Sequence, residues 1–244
     1  MNNLITLSLI LTLLYGCATP SGFNRVELNK QLSVTDEDIQ KALDAKPQLY
    51  TPFKVAIYFR PNERYWAWNW EKDDKTKISQ FANELKNNNI ISDFVILNQF
   101  SIDGTNIKSI RLAAAQHSAD TVLIISGASE LDKYNNSLGI LDIFIVTGFF
   151  VPGSVIDGIF ISHAGVWDVR NGYLYLSTEA EAEKSETVPM FFSGEPLHSN
   201  IRKEIKSTSL DKLINNLRNY INSEVTKSAN KALKAGLGKK RRAP

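Results

Sequence analysis

Thr121-Val122-Leu123-Ile124-Ile125 is the stretch on which the reading of the fold turns. Side chains alternate across a strand, so this run is apolar on both faces, the mark of a central strand covered from two sides. Two strand-like runs precede it, Phe53-Lys54-Val55-Ala56-Ile57-Tyr58-Phe59 and Asp93-Phe94-Val95-Ile96-Leu97. Between them Ile78, Phe81, Ala82 and Leu85 recur at helical spacing, with Asp73, Asp74 and Thr76 as capping candidates and Asn87-Asn88-Asn89 as the stop. Ile107, Ile110, Ala114 and Ala115 mark a second helix, with Asp103 or Thr105 before it. Strand, helix, strand, helix, strand requires right-handed crossovers and implies an α/β fold with a mostly parallel sheet in two or three layers.

Downstream, residues 159–169 and 173–183 flank Arg170-Asn171-Gly172-Tyr173. Asn-Gly between strand-like runs is the strongest short hairpin signal, so an antiparallel hairpin extends the sheet. In the returning strand Leu174, Leu176, Thr178, Ala180 and Ala182 face one way and Glu179, Glu181 and Glu183 face water. Thr208-Ser209-Leu210-Asp211 reads as a capping box opening a long C-terminal helix with a stripe from Leu210 to Ala229. Upstream, Thr35-Asp36-Glu37-Asp38 opens a short helix that Pro47 closes. Residues 138–151 are strongly apolar, broken by Asp142 and closed by Pro152-Gly153. They are too short to span a bilayer as a helix. They read as a core segment leading into the hairpin, with a loop that dips into a membrane or docks on a partner as the alternative.

The first residues carry a different message. An apolar run over residues 4–14 leads to Leu14-Tyr15-Gly16-Cys17 and then turns polar at Ala18-Thr19-Pro20-Ser21-Gly22. That length suits a secretory signal and not a mature span of about 20 residues. Leu14, Gly16 and Cys17 resemble the lipobox of bacterial lipoproteins. The resemblance implies cleavage between Gly16 and Cys17, thioether lipidation of Cys17 and acylation, palmitate included, of the new amino terminus. Cys17 is the only cysteine, so a disulfide framework is ruled out. The expected organisation is a signal peptide (1–16), a lipidated cysteine and tether (17–32), one α/β domain (33–235) and a basic disordered tail (236–244). Ala18 after the cysteine favours the outer membrane, facing the periplasm.

Charge narrows the function classes. The chain has 28 basic and 26 acidic residues, net +2. Removing Lys239, Lys240, Arg241 and Arg242 from the 28 leaves 24 against 26, a nearly neutral body without the basic face that nucleic acid requires. The tail itself suits anionic lipid or lipopolysaccharide phosphates, at about 1 kcal/mol per cation. Tyr65-Trp66-Ala67-Trp68-Asn69-Trp70 follows the first strand, where α/β folds place functional loops. Trp66, Trp68 and Trp70, together with Phe149 and Phe150, are the candidate contacts for an envelope protein partner; a lid of indoles packed over the sheet edge is the alternative for the tryptophans.

Catalytic constellations are poor. His117, His163 and His198 are scattered, and no metal-ligand spacing or phosphate loop occurs. Ser162 and His163 are strand neighbours and point to opposite faces. No catalytic residue, metal or cofactor is expected. A hydrolase acting on cell-wall sugar or peptide would have to gather Asp142, Asp157, Asp168 or the histidines in one cleft.

The strand at 53–59 with its Trp-rich loop, Ala119-Asp120-Thr121 through Ser126-Gly127, Phe150-Val151-Pro152-Gly153-Ser154 and Phe160-Ile161-Ser162-His163-Ala164-Gly165-Val166-Trp167-Asp168-Val169-Arg170-Asn171 together resemble the rhombotarget lipoproteins. That likeness implies a non-enzymatic envelope lipoprotein linked to a rhomboid-type protease through a glycine-containing tail. More distantly, Ala119-Asp120 and Trp167 to Gly172 are similar to the α/β domain of the curli-secretion lipoprotein and to the amino-terminal domain of the Tol–Pal periplasmic protein. The function implied is an interaction or assembly module held on the bacterial cell envelope.

Overall fold

Five strands form one sheet: β1 (Phe53–Phe59), β2 (Ile91–Ile96), β3 (Thr121–Asn135), β4 (Ser154–Asp168) and β5 (Leu174–Val188), in spatial order β2-β1-β3-β4-β5. Among the described residues the helices are α1 (Asp36–Asp44), α2 (Lys72–Asn87), α3 (Ile107–Gln116) and α4 (Glu195–Lys240), with 3₁₀ turns at Gln99–Ser101 and Met190–Phe192. The structure, a computed structural model, describes residues 36–62, 68–102, 106–137 and 149–240. The chain divides into two units, Met1–Asp44 and Ala45–Pro244. Within the first, α1 buries no side chain and is laced by the Lys41–Glu37 ion pair at 3.2 Å and the Gln40–Asp44 hydrogen bond at 3.1 Å. The sheet and the other helices belong to the second.

β1 pairs in parallel with β2 and with β3, while β3–β4 and β4–β5 are antiparallel. The run at 121–125 is thus the inner end of the middle strand, buried on both faces as expected. The sheet is half parallel and half antiparallel, and the antiparallel half is longer than the sequence announces. β3, β4 and β5 each run 15 residues, because Ser126 to Asn135 of β3 pairs with His163 back to Ser154 of β4. That outer stretch, with Gly127 and Ser129 on its inner face and Ala128, Glu130 and Asp132 on the other, has little hydrophobic signal of its own. It is a strand because its neighbour satisfies its backbone groups.

The helices make three layers. Ile78 and Phe81 of α2 and Leu210, Leu213 and Leu217 of α4 pack on Val55, Ile57, Leu123 and Ile125. Ile110, Ala113 and Ala114 of α3 pack on the other face, over Ala56, Tyr58, Val122 and Ile124. Further out, Ile201 and Ile205 of α4 cover Ile156, Phe160 and Ala182.

The caps match the expected ones in part: Asp74 does serve the start of α2, as the third residue of a capping box. Glu71 precedes α2, and its backbone N–H donates to Asp74 at 2.8 Å. Asn106 caps α3 by accepting from Ser109 N at 2.8 Å. The C-terminal helix does not open at Thr208; it opens at Glu195 and continues through Gly236 and Gly238 to Lys240. Ser209 is buried inside it, its hydroxyl 2.7 Å from that of Ser162 and donating to Ala180 O at 2.8 Å. A serine that resembles a cap in sequence here joins helix to sheet.

α4 also guards the sheet edge. An edge strand leaves unpaired carbonyls that template further pairing. Lys212, Asn216 and Tyr220, one helical turn apart, donate to the carbonyls of Glu181, Glu179 and Tyr175 in β5 at 3.0, 2.9 and 3.0 Å. Deeper, Lys206 (4% exposed) pairs with Asp74 (4% exposed) at 2.6 Å and donates to Asn69 O at 2.7 Å, binding α4 to the start of α2.

Removing one partner of such a pair strands a buried charge and costs roughly 3–5 kcal/mol. Lys206→Ala is expected to lower the urea midpoint by a corresponding amount, and the double variant Asp74→Leu, Lys206→Met to recover most of it. Equal losses in the single and double variants contradict this account.

Candidate functional site

Of the two readings of the tryptophans after β1, contact surface or packed lid, the described indoles fit the lid: Trp68 is buried and Trp70 half-buried, while Trp66 lies outside the described residues. Trp68 packs edge-on against Phe160 at 4.9 Å and against Trp70 at 5.0 Å, and Trp70 lies 5.6 Å from Phe59. The Trp70 indole N–H donates to Arg60 O at 2.9 Å. Room for this comes from Gly127, where a Cβ would stand 2.7 Å from Phe160 Cζ and 3.1 Å from Trp68 Cη2. The indoles therefore close the outer core.

The phenylalanines behave differently. Phe149 and Phe150 lie just before β4, while Met190, Phe191 and Phe192 form the 3₁₀ turn between β5 and α4. Both segments reach the same end of the antiparallel half. Phe149 and Phe191 stack at 4.2 Å with their planes 22° apart, and Phe150 is 78% exposed. Phe192 and Met190 are exposed beside them. Polar bonds hold the neck of the patch. Asn136 N donates to Gly153 O at 2.9 Å, Asn136 Nδ2 to Pro152 O at 3.0 Å, and the buried Ser193 hydroxyl to Met190 O at 2.6 Å. The apolar residues are thus displayed on a fixed base. Solvating adjacent large apolar side chains is unfavourable, and such patches commonly mark interaction sites. The remaining part of the apolar stretch, residues 138–148, lies outside the described residues.

The groups that a hydrolase would have to gather are spread apart. Asp157 and Asp168 stand eleven residues apart on β4, about 35 Å along a strand; Asp142 lies outside the described residues. Asp157 is on the open face of the antiparallel half with Glu130, Asp132, Glu179, Glu181 and Glu183. There it accepts from the Tyr134 hydroxyl at 2.9 Å, and hydrogen bonds from Ser185 and Tyr134 hold its carboxyl below the usual range. His163 is exposed on that face, 3.4 Å from Glu179, while Ser162 is buried on the other, the opposition expected of strand neighbours. His117 caps α3 and His198 lies in the first turn of α4. Among the described residues no group of three or more His, Cys, Asp or Glu side chains is placed to hold a metal ion, and no helix is long and apolar enough to cross a membrane.

Asp168 has a structural task. Wholly buried, it accepts from Arg170 N at 2.8 Å, Asn171 N at 3.3 Å and the Tyr175 hydroxyl at 2.7 Å, folding the Asn-Gly turn in which Gly172 takes φ +76°. Burial, then the hydrogen bond to Asp168, pushes the Tyr175 phenol up to about 12 from an ordinary 10. A pKa raised by folding contributes stability that is complete below pH 10 and is lost as pH rises from 10 toward 12. Tyr175→Phe is therefore expected to flatten that alkaline fall in a pH series of urea midpoints; an unchanged slope overturns the assignment.

No family model matches the chain, and no characterised protein matches it in sequence. Solved structures similar to it include a minor lipoprotein from Acinetobacter baumannii, at 12% identity and TM-score 0.37, covering 73% of this chain and 95% of that one. A neuraminyllactose-binding hemagglutinin homologue from Helicobacter pylori is similar at 9% identity and TM-score 0.40, covering 78% and 95%. The rare lipoprotein B from Shewanella oneidensis is similar at 12% identity and TM-score 0.28, covering 72% and 97%. Likenesses this distant carry no argument about activity. They do not show the rhombotarget, curli or Tol–Pal resemblances.

Proposed function

We propose that this chain is a bacterial envelope lipoprotein, anchored through lipid on Cys17 after cleavage at Gly16, that works as a non-enzymatic interaction module facing the periplasm, on the outer membrane. The observation that carries the reading is the apolar patch of Phe149, Phe150, Met190, Phe191 and Phe192, drawn from two separate segments onto one end of a rigid sheet. The lipobox-like start supplies the anchor, and the patch supplies a surface for an envelope protein. Burying a phenylalanine contributes about 1.5–3 kcal/mol, so covering two or three of these rings shifts a dissociation constant by several decades before the costs of association. The cations Lys239, Lys240, Arg241 and Arg242 would add contact with anionic lipid or lipopolysaccharide. The dispersion of Asp157, Asp168 and the histidines over separate strands and helices favours this reading over a hydrolase.

Two measurements test it. Cys17→Ser is expected to release the protein from the membrane fraction, with intact-mass analysis of the wild type finding acyl chains on residue 17. A photoreactive amino acid at Phe150 is expected to give a discrete crosslinked partner in envelopes, lost when Phe191 and Phe192 are changed to Ser. Because these side chains are exposed, those changes are expected to leave the thermal midpoint within a few degrees of wild type. Crosslinks that persist in the double variant reject the patch as the contact.

A further inference from the structure

A crevice of about 450 Å³ opens where β1 and β2 end, far along the chain from the phenylalanine patch. In open α/β sheets the carboxyl ends of the parallel strands are where ligands bind, since the βα loops diverge there. Here α2 leaves on one face of the sheet and α3 on the other, next to this crevice. Its lining has a consistent chemistry. Phe59 and Trp70 form an aromatic wall, and Phe100, 88% exposed, stands at the rim. Asn69, Asn98 and Gln99 supply carboxamides, and among the described residues Lys75 is the one charged side chain in the lining and no carboxylate lines the crevice.

We propose that this crevice binds a neutral saccharide, a role distinct from that of the patch. A carboxamide both donates and accepts, which suits vicinal hydroxyls and acetamido groups. The Asn98 oxygen accepts from Phe100 N at 3.1 Å, directing its Nδ2 to donate and fixing the Phe100 backbone at the rim. An exposed aromatic ring gives the C–H face of a pyranose a flat apolar partner while its edge stays wet. A purely apolar ligand would cover the exposed Asn98 and Gln99 amides without replacing the water they lose. A phosphate is opposed by the nearby start of α2, where Glu71 and Asp74 already turn carboxylates to the helix N–H groups that would receive it.

The test is an NMR and calorimetric titration of the full chain in detergent with the N-acetylglucosamine disaccharide, and with a sugar phosphate of similar size as comparator. Saturable binding in the millimolar range or tighter is expected, with a shift of the Trp70 indole N–H, which is anchored on Arg60 O. Phe100→Ala is expected to weaken it about tenfold and Gln99→Ala several-fold. Both side chains are exposed, and an unchanged urea midpoint confirms that these variants are folded. Phe191→Ser, Phe192→Ser is expected to leave sugar binding intact, which separates this site from the patch. Absence of saturable binding, preference for the sugar phosphate, or equal affinity in Phe100→Ala overturns the proposal.

Discussion

The structure depends on how closely α4 can lie on β4. Ser162 and Ser209 meet at 2.7 Å, and at Gly158 an added Cβ would come within 3.0 Å of Ile201 Cγ2 and 3.1 Å of Ile205 Cδ1. Small residues at these points bring the helix axis down onto the sheet, and the larger side chains around them then interdigitate. Ile201, Ile205, Leu210 and Leu213 follow the resulting line from the outer half of the sheet to the parallel core. Without that contact the outer halves of β3, β4 and β5 would be a ribbon with one bare apolar face, a form with little stability alone.

Several other features follow from that seating. With α4 close to β5, Lys212, Asn216 and Tyr220 reach the edge carbonyls, and Lys206 reaches Asp74 at the head of α2. One helix thereby shields the sheet edge, covers the core and holds the first βα unit. Helix and β5 are joined by the turn at Met190–Phe192, so the seating also sets where its exposed rings stand. Phe149 arrives from the other side of β4 and stacks on Phe191. The patch is thus a product of the scaffold's length.

The two candidate sites sit on regions with different physics. The patch stands on the antiparallel half, whose length comes from strand pairing. The crevice lies at the carboxyl ends of the parallel half, whose position comes from crossover topology. On the proposed reading, two separate surfaces on one anchored body would let it hold two components near one another. Asp168, which a search for acids singles out, is consumed by the hairpin turn, where three donors converge on it.

Local signals were legible in the sequence. The two-faced apolar run at 121–125, the helical spacing of Ile78, Phe81, Ala82 and Leu85, and Asn171-Gly172 each encode their element by side-chain periodicity or by a φ that glycine tolerates. They led to an α/β sheet with a hairpin and a long terminal helix. Ser162 facing inward and His163 outward follows from strand alternation alone. Tertiary packing decided what depends on a partner distant in sequence. The outer half of β3 is extended because β4 satisfies its backbone, and α4 starts thirteen residues before the apparent cap at Thr208 because Ile201 and Ile205 have a sheet to cover. Trp68 and Phe150 look alike as apolar residues in loops. Gly127 opens a space that takes the Trp68 ring into the core, whereas Phe150 is left 78% exposed at the end of the sheet.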